Sequence, residues 1–126
     1  MDGASPATIA VVDDDSRILE SLGELLESRG YIVRLYGSAQ SLLDSGGLET
    51  GDCLITDLGM PAMDGFELCR RLRCANPDLA VIFMTARNGL HDQERAARAG
   101  HHGFFEKPFD ATAMLAAVKK AVSAAT

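Results

Sequence analysis

CLITDLGMPAMDG, Cys53 to Gly65, is the stretch whose reading decides the architecture of this chain. Cys53-Leu54-Ile55-Thr56 has the length and β-branched content of a buried parallel strand, and Asp57 stands at its carboxyl end. Gly59, Pro61 and the Asp64-Gly65 pair then break the strand and turn the chain. Open α/β sheets keep their chemistry at the carboxyl ends of their strands. A carboxylate there is solvated enough to stay ionised yet is fixed by a rigid strand, so it suits covalent nucleophilic work or metal ligation. An earlier apolar run, Thr8 to Val12, also ends in acids, at Asp13, Asp14 and Asp15.

Working outward from Asp57 gives a strict alternation. Upstream, Ile18, Leu19, Leu22, Leu25 and Leu26 recur at helical spacing, with Asp15 or Ser16 to cap them and Gly30 to end them. Tyr31 to Tyr36 reads as a strand near the sheet edge, and Ser38 caps a short helix stopped by Gly46-Gly47. Downstream, Phe66, Leu68, Cys69 and Leu72 mark an amphipathic helix ending before Asn76-Pro77. Ala80 to Thr85 is a further buried strand, and a helix from Asp92 to Ala99 follows with little but alanine and arginine on its face, so weak anchoring is expected there. Phe104-Phe105-Glu106 forms the last strand, with Lys107-Pro108 at its carboxyl end. Asp110 caps a final helix with Met114, Leu115, Val118 and Val122 as its buried stripe, and Ala121 to Thr126 is expected to fray.

Composition bounds the function. A chain of 126 residues with 47% hydrophobic content suits one domain over residues 1–126, with a core from about 8 to 122 and no room for an output domain. A net charge of -6 disfavours direct binding to nucleic acid or to an anionic membrane. No run is long and apolar enough to span a bilayer and the N-terminus lacks an export signal, so a cytoplasmic location is expected. Cys53, Cys69 and Cys74 lack metal-type clustering and read as ordinary core or surface residues.

Five strand–helix pairs imply a parallel sheet covered on both faces, and the flavodoxin-like strand order 2-1-3-4-5 fits the count. In that order Asp13, Asp14 and Asp57 crowd together, with Thr85 and Lys107 arriving from the last two strands. Mutual repulsion between such carboxylates is relieved by a hard divalent cation, for which Mg²⁺ is the natural occupant. Lys107 adds a fixed positive charge, Thr85 a hydroxyl and Asp57 a nucleophile, a set suited to phosphoryl transfer onto an aspartate.

Asp13-Asp14, DLGMPAMDG from Asp57, Thr85-Ala86 and Lys107-Pro108 after a Phe-Phe strand occur here in one order and at one set of spacings. In combination they resemble the receiver domain of two-component response regulators, in the CheY-like superfamily, and Phe104 to Phe109 is similar to its FixJ-type branch. The resemblance implies that Asp57 accepts a phosphoryl group from a sensor histidine kinase or phosphotransfer protein. It implies that Asp14 and Asp57 ligate Mg²⁺ directly, Asp13 through water and Gly59 by its carbonyl. It further implies that Lys107 pairs with the phosphoryl oxygens across a cis Lys107-Pro108 bond. Thr85 would swing to bond those oxygens, with Phe104 as a coupled aromatic switch. Gly59 and Arg87 stand where receivers vary, and they should flank the phosphorylation site. Expected output is a remodelled face carrying Arg95, Arg98 and Lys119, through which the phosphorylated form homodimerises or binds a target.

Other readings are a pseudo-receiver that binds partners without phosphorylation, and a phosphatase of the haloacid dehalogenase type. The second would place an acid two residues after Asp57, where this chain has Gly59. Asp15 reads as a helix cap rather than a ligand, and His101-His102 as a solvated turn.

Overall fold

The computed structural model describes residues 6–46, 51–86 and 90–124. Strands β1 (Thr8–Val12), β2 (Ile32–Tyr36), β3 (Cys53–Asp57), β4 (Ala80–Thr85) and β5 (Gly103–Glu106) alternate with five helices. These are α1 (Ser16–Glu27), α2 (Ala39–Ser45), α3 (Gly65–Ala75), α4 (Leu90–Ala99) and α5 (Ala111–Ala124). The strands form one sheet in the order β2-β1-β3-β4-β5, with every neighbouring pair parallel. This is the expected doubly wound order, in which the chain reverses direction across the sheet between β1 and β3.

The strand period of two divides the core. Ile9, Val11, Ile55, Ile82 and Met84 face α1 and α5 and pack with Leu22, Leu26, Met114 and Val118. Ala10, Val12, Leu54, Val81 and Phe83 face the other way, against Leu42, Leu68, Leu72 and Ala96. Strands β1, β3 and β4 are buried along their whole length, which is why their sequences are apolar without alternation. Edge strand β2 is half exposed, and Arg34 sits on it in solvent.

Caps set the helix starts. Asp15 accepts from the Arg17 N–H at 2.9 Å, Asp64 from the Glu67 N–H at 2.9 Å and Asp110 from the Ala113 N–H at 2.8 Å. Ser38 and Ser41 form a reciprocal capping box at α2. Helix α1 closes at Glu27, and Gly30 at φ +87° lets the Tyr31 N–H return to the Leu26 carbonyl.

Two expectations need correction. Helix α4 starts at Leu90, two residues earlier than its pattern suggested. Ala121 does not fray: it is fully buried inside α5, because a small residue allows the helix close to the α1-side core.

Candidate functional site

Register brings the acids together. Val12 lies opposite Thr56 in the β1–β3 pair, so the residues that follow, Asp13 and Asp57, leave the sheet side by side. Each of Asp13, Asp14 and Asp57 offers an oxygen, and the three oxygens lie within 4.8 Å of one another. Asp13 and Asp57 are buried, whereas Asp14 is exposed at the rim. Asp15 turns away to cap α1 and pairs with Arg17 at 3.1 Å.

Lys107 closes the cluster from the far side. Its backbone N–H donates to the Thr85 carbonyl at 2.8 Å, extending the β4–β5 pairing by one residue. Its ammonium donates to Asp13 Oδ2 at 2.6 Å and lies 3.1 Å from Asp57 Oδ1. The Lys107-Pro108 bond is cis. Burial works against the ammonium, but its bonds to Asp13 and Asp57 outweigh that and raise its pKa above the ordinary lysine value. Burial likewise pushes the Asp13 carboxyl above the usual aspartate range, against the lowering effect of the Lys107 and Asp15 bonds, and the Asp57 charge adds to the rise. One ammonium thus stands against two buried carboxylates. The donor set of hard oxygens, with one acid reaching solvent, fits a hard divalent cation such as Mg²⁺.

The loop after β3 is tightly made. A side chain at Gly65 would place Cβ 2.5 Å from the Asp57 carbonyl oxygen, so the Asp64-Gly65 pair is needed for close approach. Its backbone φ is not in the left-handed region. Ala62 holds φ +68°, and the Met63 N–H reaches the Pro61 carbonyl at 2.8 Å around it. That is a conformation an alanine adopts at some cost, imposed by the closed turn. Gly59 has nothing within 4 Å of where a Cβ would stand, so the approach to Asp57 is open there.

From Asp57 a cleft of about 520 Å³ runs past Gly59, Thr85 and Phe66 to Arg95. Thr85 is 4% exposed at the end of β4. Phe104 lies half buried on the face of α2 to α4, opposite Phe83 in the β4–β5 register. Arg87 falls outside the described residues.

Several features were not legible in the sequence. His101 and His102 are exposed in their turn as expected, but the His101 ring also lies 6.0 Å from Phe83 and 6.1 Å from Phe104, and partial desolvation there lowers its pKa. Arg95, expected as an interaction charge, stands 4.2 Å above the Phe66 ring and 4.0 Å from Asp64. Arg98 turns back to the Glu94 carbonyl, and Lys119 is exposed. Arg73 reaches from α3 to the Ala99 carbonyl at 2.5 Å and the Leu79 carbonyl at 3.0 Å. No helix among the described residues is long and apolar enough to cross a membrane.

Comparison with known proteins sets this site in context. Residues 9–119 match the family described as the response regulator receiver domain. Over 111 residues the chain is 40% identical to the transcriptional regulatory protein FixJ of Azorhizobium caulinodans, covering 88% of this chain and 53% of that protein. The chain thus spans about half the length of that relative. A response regulator receiver domain protein from Clostridium thermocellum superposes with a TM-score of 0.85 at 30% identity, covering 93% of this chain and 94% of its own. The BeF3-activated receiver domain of DrrB does so with a TM-score of 0.86 at 28% identity, over 94% and 98% of the two chains.

Proposed function

This chain belongs to the response regulator receiver domain family, and from that premise we propose that Asp57 is its phosphoacceptor in a Mg²⁺-dependent reaction. The donor is the phosphohistidine of a sensor histidine kinase or phosphotransfer protein. The observation that carries this reading is the Lys107 ammonium lying between the Asp13 and Asp57 carboxylates at the carboxyl edge of the sheet.

Asp14 and Asp57 would hold Mg²⁺ directly, Asp13 through water and Gly59 by its carbonyl. When bound, the cation supplies charge neutralisation for the phosphoryl oxygens. Asp57 is fixed by β3 with one oxygen toward Lys107, which leaves the carboxylate to attack phosphorus as the bond to the donor nitrogen breaks. Lys107 remains anchored on Asp13 while it pairs with the new phosphoryl oxygens, so little reorganisation is required. Thr85, on the same cleft, donates its hydroxyl to one of those oxygens.

With Gly59 two residues after Asp57, the chain lacks the acid that an aspartate phosphatase would use there. It therefore serves as a signalling acceptor that turns over only its own phosphoryl group, within one receiver domain whose core runs from about 8 to 122. Movement of Thr85 toward the acceptor lets Phe104 turn inward, and the face of α4, β5 and α5 is remodelled for a target or a second copy. Light scattering with and without beryllium fluoride reads self-association, a partner titration reads target binding, and Phe104→Ala should abolish either change.

The acceptor is tested by Asp57→Asn. Intact-mass spectrometry should show acetyl phosphate and Mg²⁺ adding a phosphoryl group to the wild type and none to the variant. Equal labelling of the variant would move the acceptor elsewhere, with Asp13 or Asp14 the next to examine.

A further inference from the structure

The cleft beside Asp57 is larger than a phosphoryl group needs. It extends about 520 Å³ from the acceptor to Arg95, and Gly59 leaves its approach open. Its charge is predominantly negative, since Asp57, Asp64 and Asp92 all line it. Lys107 lies on the other side of Asp57, already shared by two carboxylates. Among the described residues lining the cleft, Arg95 is the one cation.

Arg95 is also held in place. Its guanidinium lies over the Phe66 ring at 4.2 Å, and Phe66 is itself braced by Phe83 at 5.1 Å. Its nearest carboxylate oxygen, on Asp64, is 4.0 Å away, too long for a hydrogen bond. The guanidinium thus lines the cleft without a hydrogen bond to Asp64, and its planar fork is of the kind that suits a phosphate-type anion.

We infer that Arg95 is a donor-selecting residue for this acceptor: it draws small anionic phosphodonors, acyl phosphates in particular, into the cleft and favours them over less charged donors. The inference rests on Asp57 being the acceptor. In the reaction it serves, an Asp57 oxygen bonds to phosphorus while the bond from phosphorus to the acyl oxygen breaks, and that oxygen leaves with the electron pair as a carboxylate. Charge and atoms balance without a proton. Arg95 acts on the approach of the donor, so its effect falls on the donor concentration required rather than on the chemical step.

The test compares acetyl phosphate with phosphoramidate, which carries less negative charge at neutral pH and leaves as ammonia. Labelling of the full chain is followed by intact mass, in Mg²⁺ at low ionic strength, and the modified residue is located by peptide mapping. Arg95→Gln should slow acetyl phosphate labelling roughly three- to tenfold, and phosphoramidate labelling less than about twofold, as expected for loss of one partly solvated charge. Arg95→Lys should recover part of the difference, because it restores the charge but not the planar fork. An equal fall for both donors in Arg95→Gln would mean a structural role and overturn the inference, as would an unchanged ratio of the two rates. If neither donor labels Asp57 in the wild type, the acceptor reading fails with it. If Asp57 is labelled but the ratio does not move, only the role of Arg95 fails.

Discussion

Helices α5 and α4 flank the same end of the sheet and are held by different physics. In α5 the side chains of Met114, Val118 and Ala121 are all fully buried against β3 and β4. In α4, among the described residues, only Ala96 is buried, and the rest of the attachment is polar: Arg95 rests on Phe66, and Arg73 binds the last carbonyl at Ala99. Burial of a methionine or valine side chain contributes about 1.5–3 kcal/mol, whereas an alanine has one methyl to bury. Apolar burial is insensitive to nearby charge, and cationic attachments are not. A new dianion in the cleft at Asp57 would therefore shift α4 against an anchored α5, and so change the face that the two share with β5.

The difference is broken most directly by Met114→Ala, which should cost about 2–5 kcal/mol in denaturant unfolding, since a fully buried side chain leaves a cavity. A loss below about 1 kcal/mol would mean that α5 is not clamped by its apolar stripe.

Charge at the acid cluster comes next in size. If the three carboxylates bind Mg²⁺, the ion stabilises the folded chain by about 2.7 kcal/mol at a hundredfold excess over its dissociation constant. Melting measured with and without Mg²⁺ should show the rise, which Asp14→Asn should remove and Asp15→Asn should leave, because Asp15 caps α1. Equal losses in both variants would erase the distinction between ligand and cap.

Arg73→Ala sharpens the contrast locally. It leaves the Ala99 and Leu79 carbonyls without this cationic donor, a loss of about 1–2 kcal/mol. Hydrogen exchange should speed in the last turn of α4 while α5 stays protected. Uniform acceleration across both helices would show that they open as one unit.

The smallest effect is expected at His101. Burial, then the charges of His102 and Arg73, lower its folded pKa below the ordinary 6.5. The unfolded chain then binds the proton first, so stability is complete above pH 6.5 and declines as pH falls through the lowered value. His101→Leu should flatten that slope in pH-dependent melting. A slope that survives the substitution belongs to another group.

Much of this was written locally in the chain. Burial on both faces requires uninterrupted apolar residues in β1, β3 and β4, so those strands can be read directly, and caps such as Asp15, Ser38 and Asp110 act within three residues. The alternation of elements fits the order 2-1-3-4-5 that the sheet adopts, and that order brings Asp13, Asp14 and Asp57 together. Ala121 was misread for the converse reason: an alanine carries no periodic signal, and whether it is buried depends on how closely a distant helix approaches.

By itself the sequence determined the alternation of strands and helices, the starts of most helices and the acids at the strand ends, because each follows from short-range periodicity and from connection rules. The tertiary structure alone decided that Gly65 must be bare beneath the Asp57 carbonyl, that Lys107 rests on Asp13, and that Arg73 and Arg95 hold α4. Those are contacts between groups many residues apart, some of them with backbone carbonyls that every residue possesses. No pattern in the chain marks which carbonyl, or which ring, a flexible cation will find, and only the packed distances settle it.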